Sequence, residues 1–151
     1  RRSTKIAQRN GIDIMTGNEL LTYMYKHIVQ LKNDGYLPIK GNVYKANERP
    51  LDAQTEDCCI AIIAGNASQI QEGEVVVNIY VQDVMNAEGL WKEDRERTEA
   101  MEHILDGLPM LLTSMGDVRF TASGMILTLT EEDIHQHFAS IKMSFKVLTE
   151  Y

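Results

Sequence analysis

The chain has 151 residues, of which 44% are hydrophobic and 25% are charged, and this is the size and composition of one soluble globular domain. Its formal net charge of -7 argues against a broad nucleic-acid-binding surface, because such surfaces depend on clustered Lys and Arg. No apolar run approaches the roughly 20 residues that a transmembrane helix needs, and no cleavable apolar signal segment is visible. We therefore expect neither a membrane partner nor specific nucleic-acid binding.

Residues 1–14 are expected to form an N-terminal extension, because a helix-start signal follows them directly, and residues 15–151 are then a single domain. Thr16 is a suitable N-cap and Glu19 stands at the capping-box spacing. A helix is predicted to begin here and to end at Gly35. Its apolar stripe consists of Leu21, Met24, Ile28 and Leu31. Three residues lie off this stripe and are expected at solvated or rim positions: Tyr23, Tyr25 and His27.

Five further segments have the character of β-strands. The apolar run "CCIAIIA" predicts a strand that is covered on both faces, and a polar loop containing Pro50 precedes it. The segment "ASG" at Ala122–Gly124 predicts a bulge or a bend within a strand. The predicted strands cover residues 42–46, 58–64, 72–84, 118–133 and 137–148. The last of these alternates most clearly, with one face formed by Ala139, Ile141, Met143, Phe145 and Val147.

A second helix is predicted in "GLWKEDRERTEAMEHILDGLPMLL", residues 89–112. Pro109 removes a helical hydrogen bond and clashes with the preceding turn, so we expect this helix to end or kink near Gly107. The element order favours an α+β fold, with a mostly antiparallel sheet and two helices packed on one face. The side of the second helix predicted to be buried consists of Met101, Ile104, Leu105, Leu108 and Leu111.

The segment "EEDIHQHF", residues 131–138, has the composition of a metal site. In a strand, His135 and His137 would share a face, and a carboxylate could complete the ligand set. The segment lies between two predicted strands, however, where a charged hairpin turn is expected. The adjacent Cys58 and Cys59 would point to opposite faces of a strand, and we expect two small buried residues in a reducing setting. We predict no metal, no cofactor and no catalytic residue.

Some large side chains fall outside the predicted core, in the polar loop and at the start of the second helix. Side chains of this kind are often covered by another subunit, which indicates self-assembly. The predicted oligomer-interface residues are Arg49, Leu51, Leu90, Trp91 and Arg95.

From residue 15 to residue 151 the sequence resembles the tail-terminator, or tail-completion, proteins of long-tailed bacteriophages and prophages. The similarity lies in element order and hydrophobic character, and the segments that carry it are "ELLTYMYKHI", "GNVYKANERP", "CCIAIIA", "EVVVNIYVQDV", "RTEAMEHILDGL" and "HFASIKMSFKVL". The basic first nine residues and the break at Gly107–Pro109 have no counterpart in that family.

This resemblance implies a structural protein and not an enzyme. Its subunits would close into a heterologous ring, typically of six, that caps the tail tube and presents a surface for joining the head. The implied partners are other copies of the chain, the tail tube and head-tail connector proteins, and the implied location is the virion, assembled in the cytoplasm of a bacterial host. An acidic chain suits a ring lumen through which DNA slides without sticking.

Two other readings of the sequence come from different functional classes. The first is a standalone ligand- or protein-binding α+β module, for which we would expect a monomer with a concave apolar pocket. The second is a small metal-dependent enzyme that uses His135, His137 and a carboxylate, for which we would expect tightly bound metal.

Overall fold

The structure is a computed structural model that describes residues 15–65 and 71–148. Within the first 14 residues it also describes two strands of two residues each, β1 (Gln8–Arg9) and β2 (Ile12–Asp13), which pair antiparallel. The rest of the predicted N-terminal extension lies outside the described residues.

Besides the β1-β2 pair, the described part of the chain contains two helices, a six-stranded sheet and a separate hairpin. The elements are α1 (Gly17–Asn33), β3 (Val43–Lys45), β4 (Cys58–Gly65), β5 (Glu72–Gln82), β6 (Val84–Met85), β7 (Trp91–Lys92), α2 (Arg95–Ser114), β8 (Val118–Ala122), β9 (Leu127–Glu131), a 3-10 turn (Glu132–Ile134) and β10 (Gln136–Val147).

Along the sheet the strand order is β3-β4-β5-β10-β8, and β9 pairs with the other half of β10. All these pairs are antiparallel except β3 with β4, so the predicted α+β class is confirmed. No helix within the described ranges is long and apolar enough to cross a membrane.

The sheet has one buried face and one open face. On the buried face, Ile79 of β5 lies between Cys58 of β4 and Ala139 of β10, and alternate residues along the three strands continue this pattern. Both helices cover this face, and their apolar sides join it in one core. The alternation predicted from the sequence is confirmed by the buried residues Val75, Val77, Ile79, Val81, Ala139, Ile141, Met143, Phe145 and Val147.

The boundaries of α1 agree with the prediction. The Thr16 hydroxyl accepts a hydrogen bond from the Glu19 N–H at 3.1 Å, and the Glu19 carboxylate accepts one from the Thr16 N–H at 2.9 Å. This capping box satisfies two N–H groups that have no partner inside the helix. At the other end, Gly35 has a φ of +87° and donates its N–H to the Lys32 carbonyl, which is the left-handed termination that glycine favours.

The predicted exposure of Tyr23 and His27 is wrong, because both side chains are buried in the core, Tyr23 at 2% exposure and His27 at 6%. Their rings contact each other with centroids 4.3 Å apart, and His27 Nδ1 lies 2.8 Å from the Tyr23 carbonyl oxygen. The buried side of α1 is therefore rotated from the predicted stripe, and Leu21 is only half-buried. Assignment by polarity fails here because Tyr and His have large apolar ring faces that a core can use.

The burial of His27 gives the fold a dependence on pH. Burial lowers the pKa of His27 below its ordinary value of 6.5, which means that the unfolded chain binds a proton more readily than the folded chain. The stability that His27 contributes is therefore complete above pH 6.5 and is lost as the pH falls through the folded pKa. We expect the free energy of unfolding to decline between pH 7 and pH 5, and the decline to be shallower in His27→Gln.

Urea denaturation at several pH values would measure this effect. The matched control is His103→Gln, which makes the same substitution at an exposed position on α2, outside the core. An identical pH dependence in His27→Gln and in the unmodified protein would contradict the prediction.

We predicted that α2 would end or kink near Gly107, and the first of these alternatives is wrong, because the helix continues through Pro109 to Ser114. Pro109 and Leu112 are buried, so packing of the last turns stabilises the helix against the loss of one backbone hydrogen bond. The helix also begins later than predicted, because residues 89–94 contribute to a hairpin and its exit. Of the residues predicted to be buried, Met101, Leu105 and Leu108 are buried, and Ile104 and Leu111 are half-buried.

The prediction that β4 is covered on both faces is also wrong. Cys58 and Ile60 are buried beneath the helices, whereas Cys59 and Ala61 point to the open face and are half-buried. Ile63, at a β-bulge near the end of β4, is 47% exposed. A continuous apolar run thus predicts the strand correctly, but it cannot show whether helices cover one side or both.

Candidate assembly surfaces

A polar network at the start of β4 fixes the shape of the polar loop. The Asp57 side chain is fully buried, and its carboxylate accepts three hydrogen bonds. The donors are the Asn42 N–H at 2.7 Å, Arg49 Nε at 2.9 Å and the Thr55 hydroxyl at 2.7 Å. These bonds compensate for the desolvation of the buried carboxylate and hold two loops against the same residue.

Arg49 belongs to this network and only 10% of its side chain is exposed. Its Nη2 donates to the Thr55 carbonyl and to Gln136 Oε1, both at 2.9 Å, and its guanidinium lies 3.9 Å from the centroid of the Tyr80 ring. Arg49 is one of the predicted interface residues, but its guanidinium already makes these contacts within the subunit. The contacts hold the polar loop against one end of the open sheet face.

The neighbouring carboxylate, Glu56, holds the start of α2. Arg97 donates to it from Nε at 2.7 Å and from Nη2 at 2.6 Å, and it also donates to the Pro38 carbonyl at 2.9 Å. The hydrogen bonds to Glu56 raise the pKa of Arg97, so the guanidinium keeps its positive charge. The polar loop, the first turn of α2 and the chain before β3 are thus one connected unit.

The first apolar surface lies on the open face of the sheet, and we call it the sheet patch: Tyr80, Leu127, Leu129 and Phe138. The Tyr80 and Phe138 rings are 5.2 Å apart on adjacent strands, and Leu129 is directly opposite Phe138 on the other side. Leu127 and Leu129 are both about half exposed. A single half-exposed leucine is common on protein surfaces, but these two leucines extend a row of aromatic side chains.

The second apolar surface is the hairpin formed by β6 and β7. Every residue from Val84 to Lys92 except Asn86 is exposed, so the hairpin projects from the domain. Its turn is rigid, because the Asn86 side chain accepts hydrogen bonds from the N–H groups of Glu88 and Leu90 at 3.0 and 2.9 Å. We call this surface the apolar hairpin, and its exposed apolar residues are Val84, Met85, Leu90 and Trp91.

Trp91 is 45% exposed, and one face of its indole stacks on His135 with centroids 4.5 Å apart. His135 adopts a left-handed conformation, with φ of 54°, at the end of the 3-10 turn that joins β9 to β10. This confirms the prediction that "EEDIHQHF" forms a turn. The stack fixes the orientation of Trp91 and leaves its other side free to contact a partner.

His135 and His137 do not converge on one site. His137 lies on β10 and its Nδ1 is 2.6 Å from Asp83 Oδ1, whereas His135 contacts Trp91. Within residues 15–65 and 71–148, no group of three or more His, Cys, Asp or Glu side chains is placed to hold a metal ion.

The two cysteines point to opposite faces as predicted, and burial raises the pKa of Cys59 to about 11 and that of Cys58 further. Neither thiol is therefore available as a thiolate at neutral pH.

A concave surface lies between α1 and β3, and we call it the α1 groove. It has a volume of about 610 Å³. Apolar, aromatic and charged side chains line it, and those that define it are Tyr25, Val29, Lys32, Val43, Tyr44, Lys45 and Glu48.

The predicted interface residues fall in two places. Arg49 and Leu51 line a groove of about 450 Å³ between the polar loop and the open sheet face, and Leu51 is 94% exposed at its rim. Leu90 and Trp91 belong to the apolar hairpin, and Arg95 follows it as the exposed first residue of α2. The prediction did not include Val84, Met85, Leu127 or Leu129. The tetrapeptide "NAEG" between two apolar pairs is a turn signal that could have indicated the hairpin.

Comparison with protein-family models gives no match for this chain, and no curated protein matches its sequence.

Proposed function

We propose that the chain is a structural, non-enzymatic subunit of the tail-terminator type, which associates with copies of itself into a ring that caps a tail tube and joins it to the head. The observation that carries this proposal is the presence of two unlike apolar surfaces, the apolar hairpin and the sheet patch. A two-fold dimer needs only one self-complementary surface, whereas a ring needs a pair of different ones.

The way these surfaces are held also supports an assembly role. The apolar hairpin has a turn fixed by Asn86, and its Trp91 is oriented by His135. The sheet patch lies on paired strands, which move less than loops. A surface that is already in its bound conformation loses little conformational freedom on binding, so more of its contact energy appears as affinity.

Trp91→Ala is expected to weaken self-association more than it weakens folding. A half-exposed Trp contributes little to the core, and loss of its stack on His135 costs about 0.5–1.5 kcal/mol. A Trp at the centre of an interface commonly contributes about 2 kcal/mol or more to binding. Native mass spectrometry over a range of protein concentrations would measure the association, and thermal unfolding would measure the stability.

Met110→Ala is the matched control, because Met110 is also a large exposed side chain but lies on the outer side of α2. A Trp91→Ala protein that melts much lower and still assembles normally would defeat the proposed role of Trp91. The same spectra would report bound metal. A monomer with stoichiometric metal would favour the enzyme, and a bare monomer at all concentrations would favour a binding module.

A further inference from the structure

The apolar hairpin and the α1 groove have complementary shapes, one projecting and the other concave. The hairpin projects, and Leu90 and Trp91 are exposed on it. The groove is concave and presents the ring of Tyr25, the methyl groups of Val29 and the ring of Tyr44. Aromatic and aliphatic anchors inserted into such pockets are the contacts that dominate the energy of protein interfaces.

Their charges are also complementary. The turn of the hairpin carries an exposed carboxylate, Glu88, and an exposed lysine, Lys92, lies at the end of its second strand. Two lysines, Lys32 and Lys45, line the groove against one carboxylate, Glu48, so the groove lining is net positive and suits the carboxylate at the hairpin turn. Lys45 is held in place by a hydrogen bond of 3.0 Å to the Thr22 hydroxyl. The sheet patch offers no such match, because the side chains of Tyr80, Leu127, Leu129 and Phe138 are uncharged. Opposite charges at the edge of an apolar contact mainly fix the orientation of the partners.

We propose that the apolar hairpin of one copy docks in the α1 groove of a second copy, with Glu88 facing Lys32. This inference rests on the proposed self-association, and it assigns the α1 groove, not the sheet patch, as the surface that receives the apolar hairpin. Because the hairpin and the groove are different parts of the chain, each docking event leaves one free hairpin and one free groove. Such contacts continue from subunit to subunit until a ring closes.

Cysteine cross-linking tests this arrangement directly. The variants are Leu90→Cys on the hairpin, Val29→Cys in the groove and the double variant, each treated with a short bis-maleimide. We expect the double variant to give a ladder of covalent species that ends at the ring size. A mixture of the two single variants should give covalent dimers, and each single variant alone should give none. The unmodified protein is the control for the native cysteines, of which Cys58 is buried and Cys59 half-buried.

A charge exchange provides a second test that needs no cross-linker. Glu88→Lys should weaken association about tenfold, because like charges would then face each other, and adding Lys32→Glu should restore it. The control is Glu99→Lys, an exposed change of the same charge on α2, far along the chain from the groove residues.

The possible outcomes separate this inference from the proposed function. Ladders in the double variant together with rescue by the charge exchange would support both. Covalent dimers from Leu90→Cys alone would indicate a two-fold contact between hairpins and would overturn the docking. Oligomers in native mass spectra, without cross-links or rescue, would overturn the docking and leave self-association standing. A protein that stays monomeric and gives no covalent product would overturn both.

Discussion

Asp57→Asn is expected to destabilise the fold by about 3 kcal/mol, the lower end of the range for breaking a buried ion pair. The substitution removes the charge that neutralises Arg49, whose side chain is only 10% exposed. The amide oxygen of Asn can still accept one or two of the three hydrogen bonds, which is why the lower end applies. Urea denaturation of the purified variant would measure the loss.

Asp52→Asn is the matched control for this variant, because Asp52 belongs to the same polar loop but is exposed. Exposed substitutions of this kind usually change stability by about 0.5 kcal/mol or less. Equal stabilities for the two variants would mean that the network around Asp57 contributes no net stability. A double variant in which Arg49→Met accompanies Asp57→Asn should recover part of the loss, because no unpaired charge then remains buried.

Gly41→Ala and Gly107→Ala are expected to act in opposite directions. A Cβ at residue 41 would lie 2.5 Å from the Glu56 carbonyl oxygen and would overlap the Asp57 carboxylate. Backbone atoms cannot move aside as a flexible side chain can, so we expect a loss of about 2–3 kcal/mol. A Cβ at residue 107 meets no atom within 4 Å, and Ala in the middle of an exposed helix face stabilises by about 0.5–1 kcal/mol relative to Gly.

Thermal unfolding of the two variants beside the unmodified protein would test this pair of predictions. The comparison is informative because both changes add the same methyl group. If Gly41→Ala unfolded at the same temperature as the unmodified protein, the close approach of this loop to Glu56 would not exist in solution. If Gly107→Ala were destabilised, α2 would not be a regular helix at that position.

Local patterns in the sequence were sufficient to predict most of the fold. The capping box at Thr16, the terminating Gly35 and the alternation along β10 each depend on residues close together in the chain. The errors occurred where tertiary packing decides the outcome. Pro109 does not end α2, because Leu112 beyond it is buried in the core. Tyr23 is buried in the same core, where its ring contacts that of His27.

The candidate surfaces were less predictable, because they depend on contacts between distant segments. Leu90 and Trp91 were identified from their polar surroundings, and the structure leaves both exposed. Arg49 has a similar local context, yet it bonds to Gln136, which is 87 positions away. Nothing near Arg49 in the sequence indicates this partner. The same limitation applies to Leu127 and Leu129, whose exposure depends on which face of the sheet the helices cover.

The position of β10 has a consequence for how the protein is made. This strand lies in the interior of the sheet, and it is the strand through which β8 and β9 join β5. A ribosome releases β10 after every other strand of that sheet, so the sheet cannot close while the preceding part of the chain is being synthesised. A nascent chain that lacks β10 has no Phe138 and no strand with which β9 can pair, and therefore has no complete sheet patch. Prematurely terminated chains are thus excluded from any assembly that uses this surface.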